Sequence, residues 1–474
     1  MLFNSLEFLL FFPVVCIIYY GIRSNRWRNL FLLAASYYFY MCWEPVYALL
    51  LLASTVITYA AAVGIDRWRS HARTFLIISA IANLSILFFF KYFNWAAENL
   101  ADLMAAFGVA MTVPEFKVLL PVGISFYTFQ ALGYSIDVYR GTTKVERDFP
   151  TYALFVAFFP QLVAGPIERS TNLLQQFHEK HRFDGDRAIT GINLMLWGFF
   201  LKLAVADNCA IEVDKVYNNL DGMTSLDVLF ASCLFCFQLY GDFAGYSYIA
   251  IGASRVMGFR LMDNFVRPYF FSSSVQEFWK RNHISLTTWF MDYVYYPMVG
   301  SSTKLWWWCF CIFFTFFISG FWHGANWTYV VSFSIFGIYL VVCTIKARPQ
   351  KRFEKRHGLR NQAWWVWGNR LATFFLVMLA LVFFRANNIS DGFHAISSIF
   401  TCFADMNMTL GIPKKALIAI ALLFCVEYFV EYGKAQPIAE RHFLPVYICS
   451  SLLLVFIIFA VGTFGGGQFI YFQF

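Results

Sequence analysis

The sequence predicts an all-α polytopic membrane protein. Of its 474 residues, 59% are hydrophobic and only 14% charged, and apolar stretches of membrane-crossing length recur along it. A soluble domain is about 25% charged, so this chain has too little polar surface to stand in water. No low-complexity tract, internal repeat or polar stretch is long enough to form a second domain, so 1–474 reads as one integral-membrane domain.

The elements follow in order. Residues 5–21, 29–43 and 46–64 read as the first three crossings, the last two joined at Trp43-Glu44-Pro45. A crossing needs about 20 apolar residues at 1.5 Å rise each, fewer where the bilayer thins. Arg23, Arg26 and Arg28 precede this pair, and Arg67, Arg69 and Arg73 follow it. Both clusters therefore lie on one face, which the excess of positive charge marks as cytoplasmic. The N-terminus is then extracytoplasmic. No basic leader of a cleavable signal precedes the first apolar run.

Residues 74–95 cross back, 96–113 read as interfacial, and 117–138 cross again. Pro160, Gly165 and Pro166 make 150–166 a broken or re-entrant helix. Crossings are expected at 188–210, 226–240 and 243–258, with Asp242 between the last two. Gly241 and Gly245 there have the spacing of closely packed membrane helices. Residues 275–300 carry Lys280, Arg281, Asn282, His283 and Asp292 and read as protein-enclosed or re-entrant. Crossings at 305–322 and 327–345 lead to the basic loop 346–360, which is cytoplasmic by its charge. Those at 364–386, 414–432 and 443–463 complete about 11–12 crossings.

Composition also limits function. The net charge of +8 lies in short stretches between apolar runs, a topology signal that does not point to nucleic acid. The 11 cysteines are scattered through apolar segments and read as small buried hydrophobes. No Gly-x-Ser-x-Gly elbow, Walker loop or metal-spaced His/Cys/carboxylate set occurs. His181 to Asp186 has a His-x4-Asp spacing used by glycerolipid acyltransferases, but in a polar loop without the companion motifs.

Two of the eight histidines stand apart. His71, His178, His181, His357, His394 and His442 lie in polar or mildly amphipathic stretches, whereas His283 and His323 sit among apolar and aromatic residues. Ionisable groups at membrane depth are costly, and a pair kept there is a functional candidate. An imidazole suits general-base work near neutral pH. Gly320 and Gly324 would let a backbone or a substrate approach His323 closely. Loop charge assigns His283 to the inner half and His323 to the outer. The acids Asp137, Glu168, Asp242, Asp292, Glu427 and Glu431 could form a proton relay, as in a transporter, or pair with Arg140, Arg169 or Arg385.

Five blocks, taken together, resemble the membrane-bound O-acyltransferase superfamily. They are Pro121–Gln130 with Asp137–Gly141, Phe159–Arg169, Tyr240–Ser247, Phe278–Leu286 and Phe321–Gly324. Their order is similar to the bacterial branch that holds alginate O-acetylation and D-alanyl transfer proteins, and the likeness runs over essentially the whole chain. The resemblance implies a ring of helices around a thin centre with a tunnel, His323 as the active-site histidine and His283 as its branch-typical companion. Asn282 departs from the Trp usual before His283. It implies an inner-membrane O-acetyltransferase that takes acetyl from a cytoplasmic thioester, acetyl-CoA or an acyl carrier, to an extracytoplasmic polysaccharide such as alginate. A periplasmic acetyltransferase partner is implied too, with no tightly bound cofactor and no metal. The expected tunnel lining adds Trp279, Lys280, Arg281, Asn282, Asp292, Trp322, Asn326, Asp242, Gln161 and Glu168 to the two histidines. The competing readings are a transporter or export-complex subunit, and an acyltransferase acting on lipid, teichoic acid or peptidoglycan.

Overall fold

A computed structural model describes residues 1–474 except 112–115, 117–119, 267–268, 402–407, 434–442, 466–468 and 471–474. Its described residues are helices and connecting turns, without a strand. They form two compact units, residues 1–195 with 247–262 and residues 196–246 with 263–474. Eight helices among the described residues are long and apolar enough to cross a membrane, fewer than the predicted 11–12.

The first unit begins with α1 (Leu6–Gly21), α2 (Asn25–Met41) and α3 (Tyr47–Arg67). Ser5 caps α1 by accepting the Phe8 N–H, which satisfies one of the orphan donors of a first turn. Next come α4 (Ala72–Leu87) and α5 (Phe93–Ala106), joined by a π turn at Phe88–Tyr92. With the 3-10 turn Arg69–His71 that precedes them they form one continuous 38-residue helix, so no break separates the predicted crossing at 74–95 from the piece that follows it. The widened turn absorbs the extra residue without breaking the helix. Between α3 and α4, Ser54 donates to Asn83 at 2.5 Å in a fully buried setting.

Left-handed glycines Gly123 and Gly141 bracket α6 (Ile124–Arg140), seven residues later than the predicted start of the crossing. Following it, α7 (Phe149–Ala157) starts at the Asp148 cap and ends where the sequence predicts a broken helix. Residues 158–168 are buried and non-helical. Side chains satisfy the backbone at this break: Gln130 and Gln161 both donate to the Phe155 carbonyl in the last turns of α7, at 2.6 and 3.0 Å, and Ser36 Oγ accepts the Phe159 N–H at 3.1 Å.

A π turn at Phe200–Ala206 joins α8 (Gly185–Phe199), most of which belongs to the first unit, to α9 (Asp207–Tyr217) in the second. The predicted crossings at 226–240 and 243–258 are one 33-residue helix, α10 (Ser225–Met257). Two local facts explain this. A Cβ on Gly241 or Gly245 would stand 2.7 Å from the Leu201 carbonyl or 2.8 Å from the Gly198 carbonyl, so both glycines serve helix contact. Asp242 is neutralised by Lys202 at 2.6 Å and does not force a polar turn.

The segment 275–300 is broken as expected, into α11 (Val275–Arg281), α12 (Ile284–Phe290), a π turn at Met291–Tyr295 and α13 (Tyr296–Val299). The hairpin α14 (Leu305–His323) and α15 (Trp327–Arg356) packs at glycine contacts. A Cβ on Gly320 would lie 2.8 Å from Val330 Cα. The basic stretch at 346–360 is helical through Arg356, an extension of α15 rather than a loop. Completing the unit are α16 (Ala363–Arg385), the amphipathic α17 (Ile389–Thr401), α18 (Lys414–Glu431) and α19 (Phe443–Val461). The cysteines are only partly core: Cys209, Cys236 and Cys311 are buried, while Cys42, Cys425 and Cys449 are exposed. His442 lies outside the described residues.

Candidate active site

Both singled-out histidines lie in the second unit, with ring centroids 6.5 Å apart. Hydropathy places His323 at a turn beyond an apolar helix. It is the last residue of α14, yet it is only 4% exposed, because Phe333 stacks on its ring at 4.2 Å and Phe384 approaches edge-on at 5.6 Å. Trp322 packs against both imidazoles, 4.8 Å from His323 and 5.9 Å from His283. The expected inner and outer histidines are neighbours. Gly320 admits the backbone of α15, and Gly324 admits the Tyr329 ring, which a Cβ would meet at 2.3 Å.

His283 occupies the break between α11 and α12 in the left-handed conformation, φ 47° and ψ 50°. It is the one non-glycine residue with positive φ among those described. Such a backbone costs of order 1 kcal/mol or more and persists where surroundings enforce it. Asn264 does so here. Its backbone carbonyl accepts the Ile284 N–H at 3.0 Å, and its Oδ1 accepts from the Ser285 N–H at 3.2 Å and Ser285 Oγ at 2.8 Å. The same Oδ1 lies 3.2 Å from His283 Nδ1. Burial disfavours the charged ring and lowers the His283 pKa well below the usual imidazole value.

Three cavities succeed one another along α15. A polar one of about 590 Å³ is lined by Asn326, Tyr329, Lys202, Asp207, Gln238 and Asp242, among others. A small chamber of about 30 Å³ is lined by His283 and His323 together with Asn282, Tyr240, Phe333 and Phe336. An apolar cavity of about 220 Å³ is lined by Leu340 and Thr344 with Gln276, Lys280, Thr315 and Ser319. The N-cap Asn326 and the α15 residues 329, 333, 336, 340 and 344 recur at helical spacing along one face. They span about 27 Å at 1.5 Å per residue. Phe384 is shared by the polar cavity and the chamber, and Trp279 by the chamber and the apolar cavity.

The other expected site residues divide. Trp279, Lys280, Asn282, Asn326 and Asp242 line these spaces. Arg281 does not. Its guanidinium is taken by Glu277 and Glu431, at 2.5 and 2.8 Å, and α11 turns it away from the cavity that Lys280 lines. Asp292 sits exposed on the π turn after α12 and lines none of the three. Gln161 and Glu168 belong to the first unit. There Glu168 accepts from the Met262 N–H and from Asn172, ordering the 260–262 backbone.

The acids are also accounted for. Asp242 and Asp207 hold Lys202 at 2.6 and 2.9 Å, and Glu427 accepts a short hydrogen bond from Tyr240. Arg385 pairs with Asp214 rather than with any of the acids singled out in the sequence. Sequence reading missed Asn264, Lys202, Phe333 and Phe384. Asn264 leaves only a faint signal, one half of the polar pair Asp263-Asn264 between Met262 and Phe265.

Fold and site together define a multi-pass membrane protein with two imidazoles lining one small chamber, which shares walls with a polar and an apolar cavity. The chain belongs to the membrane-bound O-acyltransferase family, whose model matches residues 144–384, and it is an acyltransferase. It is 38% identical over 409 residues to the probable alginate O-acetylase AlgI of Pseudomonas aeruginosa, covering 85% of this chain and 75% of that one. It is 31% identical over 432 residues to the peptidoglycan O-acetyltransferase of Helicobacter pylori (84% and 80%). A teichoic acid D-alanyltransferase of Bacillus subtilis is 28% identical over 284 residues (57% and 68%).

Proposed function

We propose that this acyltransferase acetylates an extracytoplasmic polysaccharide, with alginate the first candidate, using a cytoplasmic thioester as donor in a bacterial inner membrane. The observation that carries the proposal is the single face of α15 that lines three successive cavities with His283 and His323 at their junction. A donor thioester entering the apolar cavity and an acceptor hydroxyl entering the polar one would meet at the imidazoles. The hydroxyl oxygen attacks the thioester carbonyl carbon and the carbon–sulfur bond breaks. The hydroxyl proton passes through an imidazole to the sulfur, which leaves as a thiol.

Charge supports the direction. The apolar cavity ends at Thr344, just before the basic stretch that begins at Lys346, and a dense cluster of Lys and Arg favours the cytoplasmic face. Lys280 on the donor side can attract the phosphates of acetyl-CoA or of a carrier-protein arm. The names of the alginate and peptidoglycan relatives support a glycan acceptor. The polar cavity has room for an acceptor hydroxyl, offered by the polymer itself or by a periplasmic acetyltransferase partner.

The test is ester analysis of isolated envelope glycans from cells with the wild-type protein, without it, and with His323→Ala. Acetyl esters should disappear in the last two while the amount of exported polymer stays constant. Persisting esters with His323→Ala would overturn the proposal. Loss of the polymer itself would favour an export role.

A further inference from the structure

We propose that Asn264 is a positioning residue that fixes His283 as the proton acceptor of the transfer, with Nδ1 protonated and Nε2 presented to the chamber. This role for Asn264 rests on the acyl-transfer reading above. The resemblance makes His323 the active-site histidine and His283 its branch-typical companion, and it leaves the companion without a stated role. The geometry at His283 supplies one.

The assignment starts from an atom that cannot accept. The Ser285 backbone N–H is a donor only, and it lies 3.2 Å from Asn264 Oδ1. That atom of the amide is therefore the carbonyl oxygen and not the NH2 group. The Ser285 hydroxyl donates to the same oxygen at 2.8 Å. An amide oxygen accepts but never donates, so the His283 Nδ1 standing 3.2 Å from it carries the hydrogen. In a neutral imidazole the other nitrogen, Nε2, then holds the lone pair. A neutral ring in this state can take a proton at Nε2 but cannot donate one to a thioester oxygen.

Asn264 does three things at once for this ring. Its carbonyl and side chain hold the 284–285 backbone, and so the left-handed conformation that aims His283. Its Oδ1 selects the tautomer. It lines none of the three cavities, while His283 lines the chamber, so the edge opposite Nδ1 is the one turned toward the reacting groups. Groups facing His283 from the surrounding elements are His323 and Trp322 of α14 and the Phe243 ring of α10, 4.3 Å away. Tyr240, bonded to Glu427, lines the same chamber, and Arg281, two positions earlier, is held by Glu277 and Glu431. In the transfer the acceptor O–H bond breaks as the oxygen bonds to the acyl carbon, His283 Nε2 receives that proton, and it returns the proton to the departing sulfur.

Purified protein with 15N-labelled histidine tests this, using acetyl-CoA as the probe donor and thiol release and ester formation as the activity readouts. Imidazole 15N shifts of His283, assigned by difference against His283→Gln, should report the Nδ1–H tautomer. Asn264→Asp keeps an acceptor of the same shape and should retain transfer. Its carboxylate favours the imidazolium, so the acid limb of the pH–rate profile should move up by about 1 unit or more. Asn264→Leu removes the acceptor and should lower transfer at least about tenfold. An Nε2–H tautomer in the wild type, or an Asn264→Asp profile superimposed on the wild-type one, would overturn the inference. Full activity in His283→Gln would instead overturn the transfer reading of this site, which separates the two failures.

Discussion

Phe333 lies nearly parallel on the His323 ring, with centroids 4.2 Å apart and planes inclined by 28°. With Phe336, Phe384 and Tyr240 it reduces the space at the two imidazoles to about 30 Å³, about the share of one water in the liquid. That space suits a methyl group and crowds anything longer. The protein should transfer acetyl at least about tenfold faster than butyryl, the order expected when a pocket meets extra methylenes. Phe333→Leu should narrow that ratio, as measured by thiol release with acetyl-, propionyl- and butyryl-CoA. An unchanged ratio would mean that the acyl group is accommodated elsewhere.

Lys202 should be the most consequential single charge for stability. It is buried with Asp242 and Asp207, at 2.6 and 2.9 Å, and its ammonium rests 4.4 Å from the centre of the Phe469 ring. Removing one partner of a buried ion network strands the remaining charges at a cost of about 3–5 kcal/mol. Lys202→Met should therefore lower the melting temperature in detergent markedly, and adding Asp242→Asn should recover part of the loss. Additive losses in the double variant would refute a coupled network.

Lys280 and Arg281 are adjacent in sequence and should behave oppositely. Arg281→Met leaves Glu277 and Glu431 without their shared guanidinium and should reduce stability. Lys280→Met touches an exposed side chain at the apolar cavity and should raise the KM for acetyl-CoA with little change in melting temperature. Thermal melts and donor titrations on the two variants separate the roles.

Glu168 should make stability depend on pH. Burial raises its pKa from 4.5 to about 7, against the opposing pull of the Met262 N–H and Asn172 bonds. The folded protein thus binds this proton more tightly than the unfolded chain. Stability should fall as pH rises from about 4.5 and level off above about 7, a loss on the order of 3 kcal/mol at 1.36 kcal/mol per unit. Glu168→Gln should flatten that part of the curve of melting temperature against pH. A steeper curve in the variant would contradict the assignment.

Much of the fold was legible in the sequence because hydrocarbon imposes a simple rule. Each crossing must be apolar and long enough, and its flanks carry the charge. The broken segments at 150–166 and 275–300 were legible for the same reason, since prolines and charges have no place in a lipid-facing helix. The errors occurred where a neighbour cancelled a local signal. Asp242 reads as a polar turn until Lys202, 40 positions earlier, is placed beside it, and α10 then runs through unbroken. Arg281 reads as a donor-binding cation until Glu431, 150 positions later, takes its guanidinium.

By itself the sequence determined an all-helical membrane protein and picked out His283 and His323, because an imidazole in an apolar setting is a local anomaly visible without coordinates. Only the tertiary structure decided that the two rings face each other across one small chamber, that Asp292 lies outside it, and that Asn264 holds the His283 ring. Those facts depend on contacts between helices and loops far apart in the chain. Hydropathy reports where a residue would sit along a membrane normal. It carries no information about which side chains close over it, and at His323 it is Phe333 and Phe384 that turn a helix end into a buried site.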